Sequence, residues 1–421
     1  MTRSMPPPPP PRSRPRAIVA CGTLVAFACL CHHRADAEPA VTLSEQELAR
    51  VLRLSPLLDP PADPTNRWSG DSRAAALGQL FFFDPRLSAG GKVSCSTCHD
   101  PAKSFADRRP LAQGVGTAER HAPSLWNVAY QRWFFWDGRV DSLWAQFVVP
   151  LEHPREMGFA RTKLVDLIRR DGRLRDAYER VFGPLPDWPG QATPRTTPED
   201  RRAVDAVVAN VGKAVAAYQR KLVSRRAPFD VFVEGLRTND PRKLGALAAS
   251  AQRGLKRFVT TAECRLCHVG PNFSDGEFHN LGLPLPGGGE PNDPGRFRGA
   301  ALVRDHEFNA LSRHSDGPDS PAARRLQRLA PANESWGAFK TPTLRNVART
   351  APYMHTGQFA SLREVLRFYS TLEGQVRANH HQEQILMPLN LSDREIDDII
   401  AFLESLTDER IDPALLKPLP R

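Results

Sequence analysis

The chain has 421 residues, 41% hydrophobic and 25% charged, with 39 prolines against 28 glycines and a formal charge of +10. That length is ample for a buried core in two or three domains. The composition excludes a disordered chain, a collagen-like repeat, a coiled coil and a multispanning membrane protein.

Residues 1–37 read as a secretory signal peptide. A Pro- and Arg-rich start without acids leads into the apolar run of residues 17–31, and Ala35-Asp36-Ala37 offers an A-x-A cleavage site. The run is too short to favour a spanning helix, which needs about 20 apolar residues. Cleavage there leaves 52 basic and 46 acidic residues, net +6. With no Lys/Arg block and no interleaved aromatics, no nucleic-acid partner is expected.

In chain order, apolar residues recur at helical spacing over 44–54, 73–83, 162–181, 200–222, 242–258, 361–370 and 392–406. Ser392-Asp393-Arg394-Glu395 opens the last segment with capping chemistry. No sustained period-two alternation occurs, so little sheet is expected. Segment 182–199 is Pro-rich and loop-like, and 284–335 reads as a long irregular excursion. The first ten residues after position 37 and the tail beyond Thr407 read as extended arms, and a crossing between domains is expected near 222–235.

Three of the seven cysteines fall in the signal segment. The other four form Cys95-Ser-Thr-Cys98-His99 and Cys264-Arg-Leu-Cys267-His268. This is the C-x-x-C-H pattern of c-type haem attachment, twice. Cysteines three apart on a helical turn face one way, so both thiols reach the two vinyl groups of one porphyrin. The next His is then held beneath the iron. A zinc site would pair cysteines across a long stretch and leave both histidines unexplained, and a redox C-x-x-C does not require them.

The surroundings also repeat. Gly78-Gln-Leu-Phe-Phe82 precedes the first motif and Gly254-Leu-Lys-Arg-Phe258 the second. Pro123-Ser-Leu-Trp-Asn-Val-Ala129 matches Pro342-Thr-Leu-Arg-Asn-Val-Ala348, with Gly138 and Gly357, then Ser142-Leu143 and Ser361-Leu362, at equal offsets. Equal spacing points to duplication of one haem-binding unit.

From about residue 70 to 407 the chain resembles the bacterial dihaem cytochrome c peroxidases and their MauG-like relatives. The resemblance rests on Leu80–Ser88, the first C-x-x-C-H, Trp136-Asp-Gly-Arg139, Pro150 with Glu156-Met157, the second C-x-x-C-H, and Lys340–Val347 through Ala351–Gln358. It implies a mostly α chain with two cytochrome-c-like haem domains and long irregular loops. After the signal peptide, 38–225 would hold a peroxidatic haem and 226–421 an electron-transfer haem. Two covalent haem c groups, periplasmic location, hydrogen peroxide as substrate and a small electron donor (cytochrome c or cupredoxin) follow from it.

The resemblance also assigns residues. His99 and His268 would bind iron. Glu156 falls at the acid/base position, and Gln146 at that of a hydrogen-bond partner for peroxide; by spacing alone Glu156 reads rather as a surface-loop carboxylate. Trp136 would sit between the haems. The distal capping His of reductively activated relatives falls on Val115, which cannot bind iron, so the first haem is expected to be open, with His121 the alternative cap. The sixth ligand of the second haem falls on Tyr369, as in the MauG-like branch; Met157, Met354 and Met387 lie elsewhere. A phenolate there would favour oxidised iron. His355 and Arg345 are expected to support the second haem without binding iron. Calcium would use backbone carbonyls of Thr350 and Pro352, although His121 replaces the expected Asn.

Three functions are compatible with this reading: a peroxidase, a MauG-like oxidant acting on a partner protein, and a plain dihaem electron carrier. Glu156, Gln146 and the vacant Val115 position count against the carrier.

Overall fold

Two glycines organise the helix packing. A Cβ on Gly78 would stand 1.9 Å from the Ala214 carbonyl oxygen, and one on Gly254 would stand 1.9 Å from that of Asp398. In each case a helix preceding a C-x-x-C-H motif crosses a later helix with no space for a side chain. The computed structural model describes residues 41–188, 197–288, 292–376 and 383–420, so the expected signal peptide lies outside it.

The helices follow in order as α1 (Glu45–Leu52), α2 (Ser72–Phe82), α3 (Cys95–Cys98), α4 (Leu143–Gln146), α5 (Val148–Glu152), α6 (Arg161–Arg170), α7 (Gly172–Phe182), α8 (Pro198–Gln219), α9 (Pro228–Thr238), α10 (Pro241–Leu244), α11 (Ala249–Val259), α12 (Arg296–Asp305), α13 (Pro321–Gln327), α14 (Leu362–Thr371) and α15 (Asp393–Glu404). The sheet among the described residues is one antiparallel pair, β1 (Phe278–His279) with β2 (Phe339–Lys340). No described helix is long and apolar enough to cross a membrane.

Local chemistry accounts for these boundaries. Asp71 accepts from the Arg73 and Ala74 amides and starts α2. Ser392 and Glu395 form the capping box anticipated for α15. The expected helix 162–181 is two helices, because Asp171 turns out of α6 and caps α7 through the Arg173 and Leu174 amides. Likewise 242–258 breaks at Gly245 into α10 and α11. The expected crossing segment contains α9, which begins with Pro228 at its first position and buries Phe229, Phe232 and Val233. The excursion 284–335 is not wholly irregular, since it carries α12 and α13.

Two hydrophobic cores result. The first gathers α2 and α4–α8 around Trp144, Val208 and Val211, and takes Phe308 from the excursion. The second joins α9, α11, α14 and α15 with Val51 and Leu54, so α1 packs with the later half of the chain. The tail returns the exchange. Gln79 donates to the carbonyls of Ala414 (2.6 Å) and Lys417 (2.8 Å), and Tyr218 donates to that of Leu415 (2.6 Å). The expected C-terminal arm is thus a strap on the first core, and residues 40–421 form one unit.

The duplication extends to the backbone. Asn127 and Asn346 have φ of 60° and 61°, and Gly138 and Gly357 66° and 61°. The bridges Phe134–Val140 and Tyr353–Phe359 occupy matching turns. Asn127 holds the chain end of α8 through the Leu222 carbonyl and Ser224 amide. Asn346 does so for α15 through Leu406 and Asp408.

Candidate active site

The two cysteine motifs share one local design. Each His amide donates to the carbonyl of its first Cys at 2.9 Å, which closes the helical turn. His99 Nδ1 lies 3.2 Å from the Phe105 carbonyl oxygen, and His268 Nδ1 2.9 Å from that of Phe273. A carbonyl only accepts, so both histidines carry the proton on Nδ1 and a lone pair on Nε2. Both Phe residues have positive φ, 55° and 51°, which turns their carbonyls back towards the ring. Burial holds both imidazoles neutral and pushes the thiols of Cys95, Cys98 and Cys264 up to about 12.

A cavity of about 590 Å³ opens over the first motif. Cys95, Cys98 and His99 line it together with Trp136, Gln146 and Glu156, so the three expected catalytic side chains converge there. Glu156 stands in the turn His153-Pro154-Arg155-Glu156, closed by the Glu156 amide on the His153 carbonyl at 3.0 Å. Its side chain is 25% exposed. Burial raises its pKa, opposed by Arg139 and His153. Its charge helps hold the Cys98 thiol up, after burial and Asp107. Gln146 closes α4, and its side-chain amide has no hydrogen-bond partner among the described residues.

The strand of chain at Val115 is tied to this turn by the Val115 amide on the Glu156 carbonyl and the Gly116 amide on that of Arg155, both 2.8 Å. Val115 points outward, 48% exposed, and does not line the cavity. His121 does line it. Its Nδ1 donates to the Arg109 carbonyl at 2.8 Å, which leaves a lone pair on Nε2. Helix α12 supplies a wall through Arg298 and Leu302, His306 adds to it from just past the helix end, and the next residue, Glu307, pairs with Arg161 at 2.6 Å.

Around the second motif, Tyr369 is partly buried on α14, and desolvation followed by Cys264 and Cys267 pushes its phenol above the usual range. Arg345 is fully buried and bidentate on Asp230 (2.8 and 2.9 Å), with Nε donating to the Pro271 carbonyl at 2.6 Å. It therefore clamps the loop after His268 onto α9. Met387 is 70% exposed and Met354 occupies a tight turn. His279 lies between Asp275 (2.8 Å) and Glu383 (2.7 Å). Asp275 first, then Cys267 and Glu383, raises its pKa to about 11.

Trp136 joins the two regions. Its indole donates to the His121 carbonyl at 2.9 Å, and its own carbonyl accepts from the Lys340 amide at 2.8 Å. His355, at the matching position of the second repeat, stacks on Phe339 at 3.6 Å, and burial lowers its pKa to about 4. The His355 carbonyl accepts from the His121 amide at 2.8 Å, which seats the turn of Thr350 and Pro352 against the first region.

Residues 72–238 match the family model for the di-haem cytochrome c peroxidase. The methylamine utilization protein MauG of Methylorubrum extorquens is 33% identical over 93% of this chain and 94% of its own. This chain belongs to that family. The cytochrome c551 peroxidase of Pseudomonas aeruginosa is 27% identical, covering 79% of this chain and 78% of that protein. The crystal structure of the diheme peroxidase BthA from Burkholderia thailandensis superposes with a TM-score of 0.63 at 27% identity, covering 85% and 91% of the two chains. A MauG-like protein associated with microbial copper homeostasis gives 0.62 at 26%, covering 86% and 95%. The chain is accordingly a dihaem cytochrome-c peroxidase-type oxidoreductase.

The side chains present suit two haem groups. Each motif offers two neighbouring thiols and an imidazole whose Nε2 lone pair is unused, and the first also has a cavity. The sequence reading overlooked two residues. His153 lies 3.6 Å from Glu156 and shares its turn, so the His-Pro-x-Glu spacing was the available signal. His279 gave none, because Glu383 approaches it from over 100 residues away.

Proposed function

We propose that this chain is an exported, periplasmic peroxidase that reduces hydrogen peroxide to water with electrons from a small redox protein, a cytochrome c or cupredoxin. Export rests on the signal-like segment 1–37. Haem c would be attached through Cys95 and Cys98, and through Cys264 and Cys267. His99 and His268 would be the iron ligands, with Tyr369 the sixth ligand of the second haem. Bound there, the haems supply an iron that accepts peroxide oxygen and a relay for electrons. The observation that carries the proposal is the convergence of Glu156 and Gln146 on the cavity that also holds His99.

Within that cavity Glu156 takes the proton from one peroxide oxygen and returns it to the other, so that water can leave. Burial raises the Glu156 pKa, which brings the carboxylate that accepts the proton and the carboxyl that returns it closer in energy. The Gln146 amide holds the peroxide by hydrogen bonding. Trp136, hydrogen-bonded on both sides, keeps a fixed aromatic contact between the two haem regions. Tyr369 favours a second reading, a MauG-like oxidant acting on a protein partner, because a phenolate bound to iron would disfavour its ferrous state.

Replacement of Glu156 by Gln keeps the side-chain volume and removes the exchangeable proton. Peroxide turnover is expected to fall about 10²-fold, with both haems retained by mass. Turnover within a factor of two of the parent would return Glu156 to a surface-loop role.

A further inference from the structure

We propose that His153 is the proton-relay residue that recharges Glu156 from solvent during peroxide reduction, a role that rests on the peroxidase reading above. Each turnover consumes H₂O₂, two electrons and two protons and releases two waters. The electrons come from the small redox protein, and the protons must reach a carboxyl set back from water.

The geometry supplies one route. His153 and Glu156 are the first and last residues of one turn, with Nδ1 3.6 Å from Oε1. That Nδ1 is buried and has no hydrogen-bond partner, while the side chain as a whole is 36% exposed. The exposed part is therefore the other edge of the ring. One nitrogen faces the acid, and the opposite edge is solvent-accessible while the ring also lines the mouth of the first cavity, so the imidazole can release a proton inward and take one from outside. A separation of 3.6 Å is too long for a hydrogen bond at rest, but catalytic contacts often tighten when substrate is bound.

The other charged groups at Glu156 do not offer this route. Arg139 comes from the turn after Trp136 and is paired with Asp137. Glu119, from the loop before His121, pairs with Arg155 at 3.5 Å. Arginine stays protonated, and Glu119 opposes ionisation of Glu156.

The haem-loaded protein and the variants His153→Asn and His153→Gln test this. Peroxide turnover is measured across pH in H₂O and D₂O. Carbon monoxide binding to the reduced protein checks cavity access without any proton. The infrared band of the Glu156 carboxyl, assigned by its loss in Glu156→Gln, reports that group directly. Both variants are expected to turn over about ten-fold more slowly with a larger solvent isotope effect. The Glu156 band should titrate at higher pH, carbon monoxide binding should stay within two-fold, and His153→Asn should add no loss on a Glu156→Gln background. If Glu156→Gln is impaired while the His153 variants match the parent, the relay is wrong and the peroxidase reading stands. Carbon monoxide binding that slows in parallel with turnover would make His153 merely structural and overturn the relay. If Glu156→Gln is also unimpaired, the peroxidase reading falls and the relay with it.

Discussion

Replacing Gly78 by Ala places a methyl group where the backbone of α8 now lies. The new Cβ would be 1.9 Å from the Ala214 carbonyl oxygen and 2.7 Å from the Val215 nitrogen. A carbon and a carbonyl oxygen in contact prefer about 3.3 Å or more, so the helices must part by well over an ångström. The obstacle is backbone and cannot rotate aside. The separation would loosen α2 against α8, whose Val207, Val208, Val211 and Val215 lie in the same core. The expected cost is about 3 kcal/mol or more, at the upper end of overpacking effects, because gaps of this size forfeit much of the dispersion energy. Thermal unfolding followed by circular dichroism should drop by roughly 6–12 °C. Gly254→Ala should behave alike, because its Cβ meets the Asp398 carbonyl at the same 1.9 Å. Gly172→Ala is the control. Nothing lies within 4 Å of its Cβ, and a gain of about 0.5 kcal/mol is expected from the stiffer unfolded chain. A Gly78→Ala protein melting within about 1 °C of the parent would refute the close crossing.

Two further outcomes follow from buried groups. His355 has a pKa of about 4 in the folded protein, below the unfolded value of about 6.5, so the unfolded chain binds the proton first. The stability tied to its neutral form is complete above pH ~6.5 and is lost as pH falls towards 4, by roughly 3 kcal/mol. His355→Phe should flatten the urea midpoint over that range, and an unchanged slope would show that the ring is not held neutral. Tyr369→Met exchanges a phenol for a thioether. Redox titration should find the potential of the second haem raised, whereas an unchanged potential would remove Tyr369 from the ligand position.

Some of this was legible from residue order because the chemistry demands contiguity. Two thiols three apart and a following His must lie on one turn to hold one porphyrin, and both strings stand unbroken in the chain. The repeat was equally readable, since Asn127 and Asn346 sit at equal offsets and make equivalent turns. Most helices announced themselves by apolar spacing. The breaks at Asp171 and Gly245 did not, because one capping side chain or one glycine overrides a continuous period. Helix α9 was missed because Pro228 reads as a loop signal unless its place at the first position of a helix is known.

The sequence by itself therefore determined the mostly helical class, the two attachment motifs and their duplication, each a matter of neighbouring residues or fixed spacing. Only the tertiary structure decided which side chains share a space. It turned His153 Nδ1 towards Glu156, brought Tyr369 within the electrostatic reach of Cys264 and Cys267, drew α12 over the first cavity, and exchanged α1 and the C-terminal strap between the cores. The physical reason is that these contacts are made by packing. The crossing distance at Gly78 and Gly254 sets how closely the helices approach, and the burial of Phe308 and Leu54 sets which surface each segment covers. No local pattern encodes where a face will come to rest against residues a hundred or more positions away.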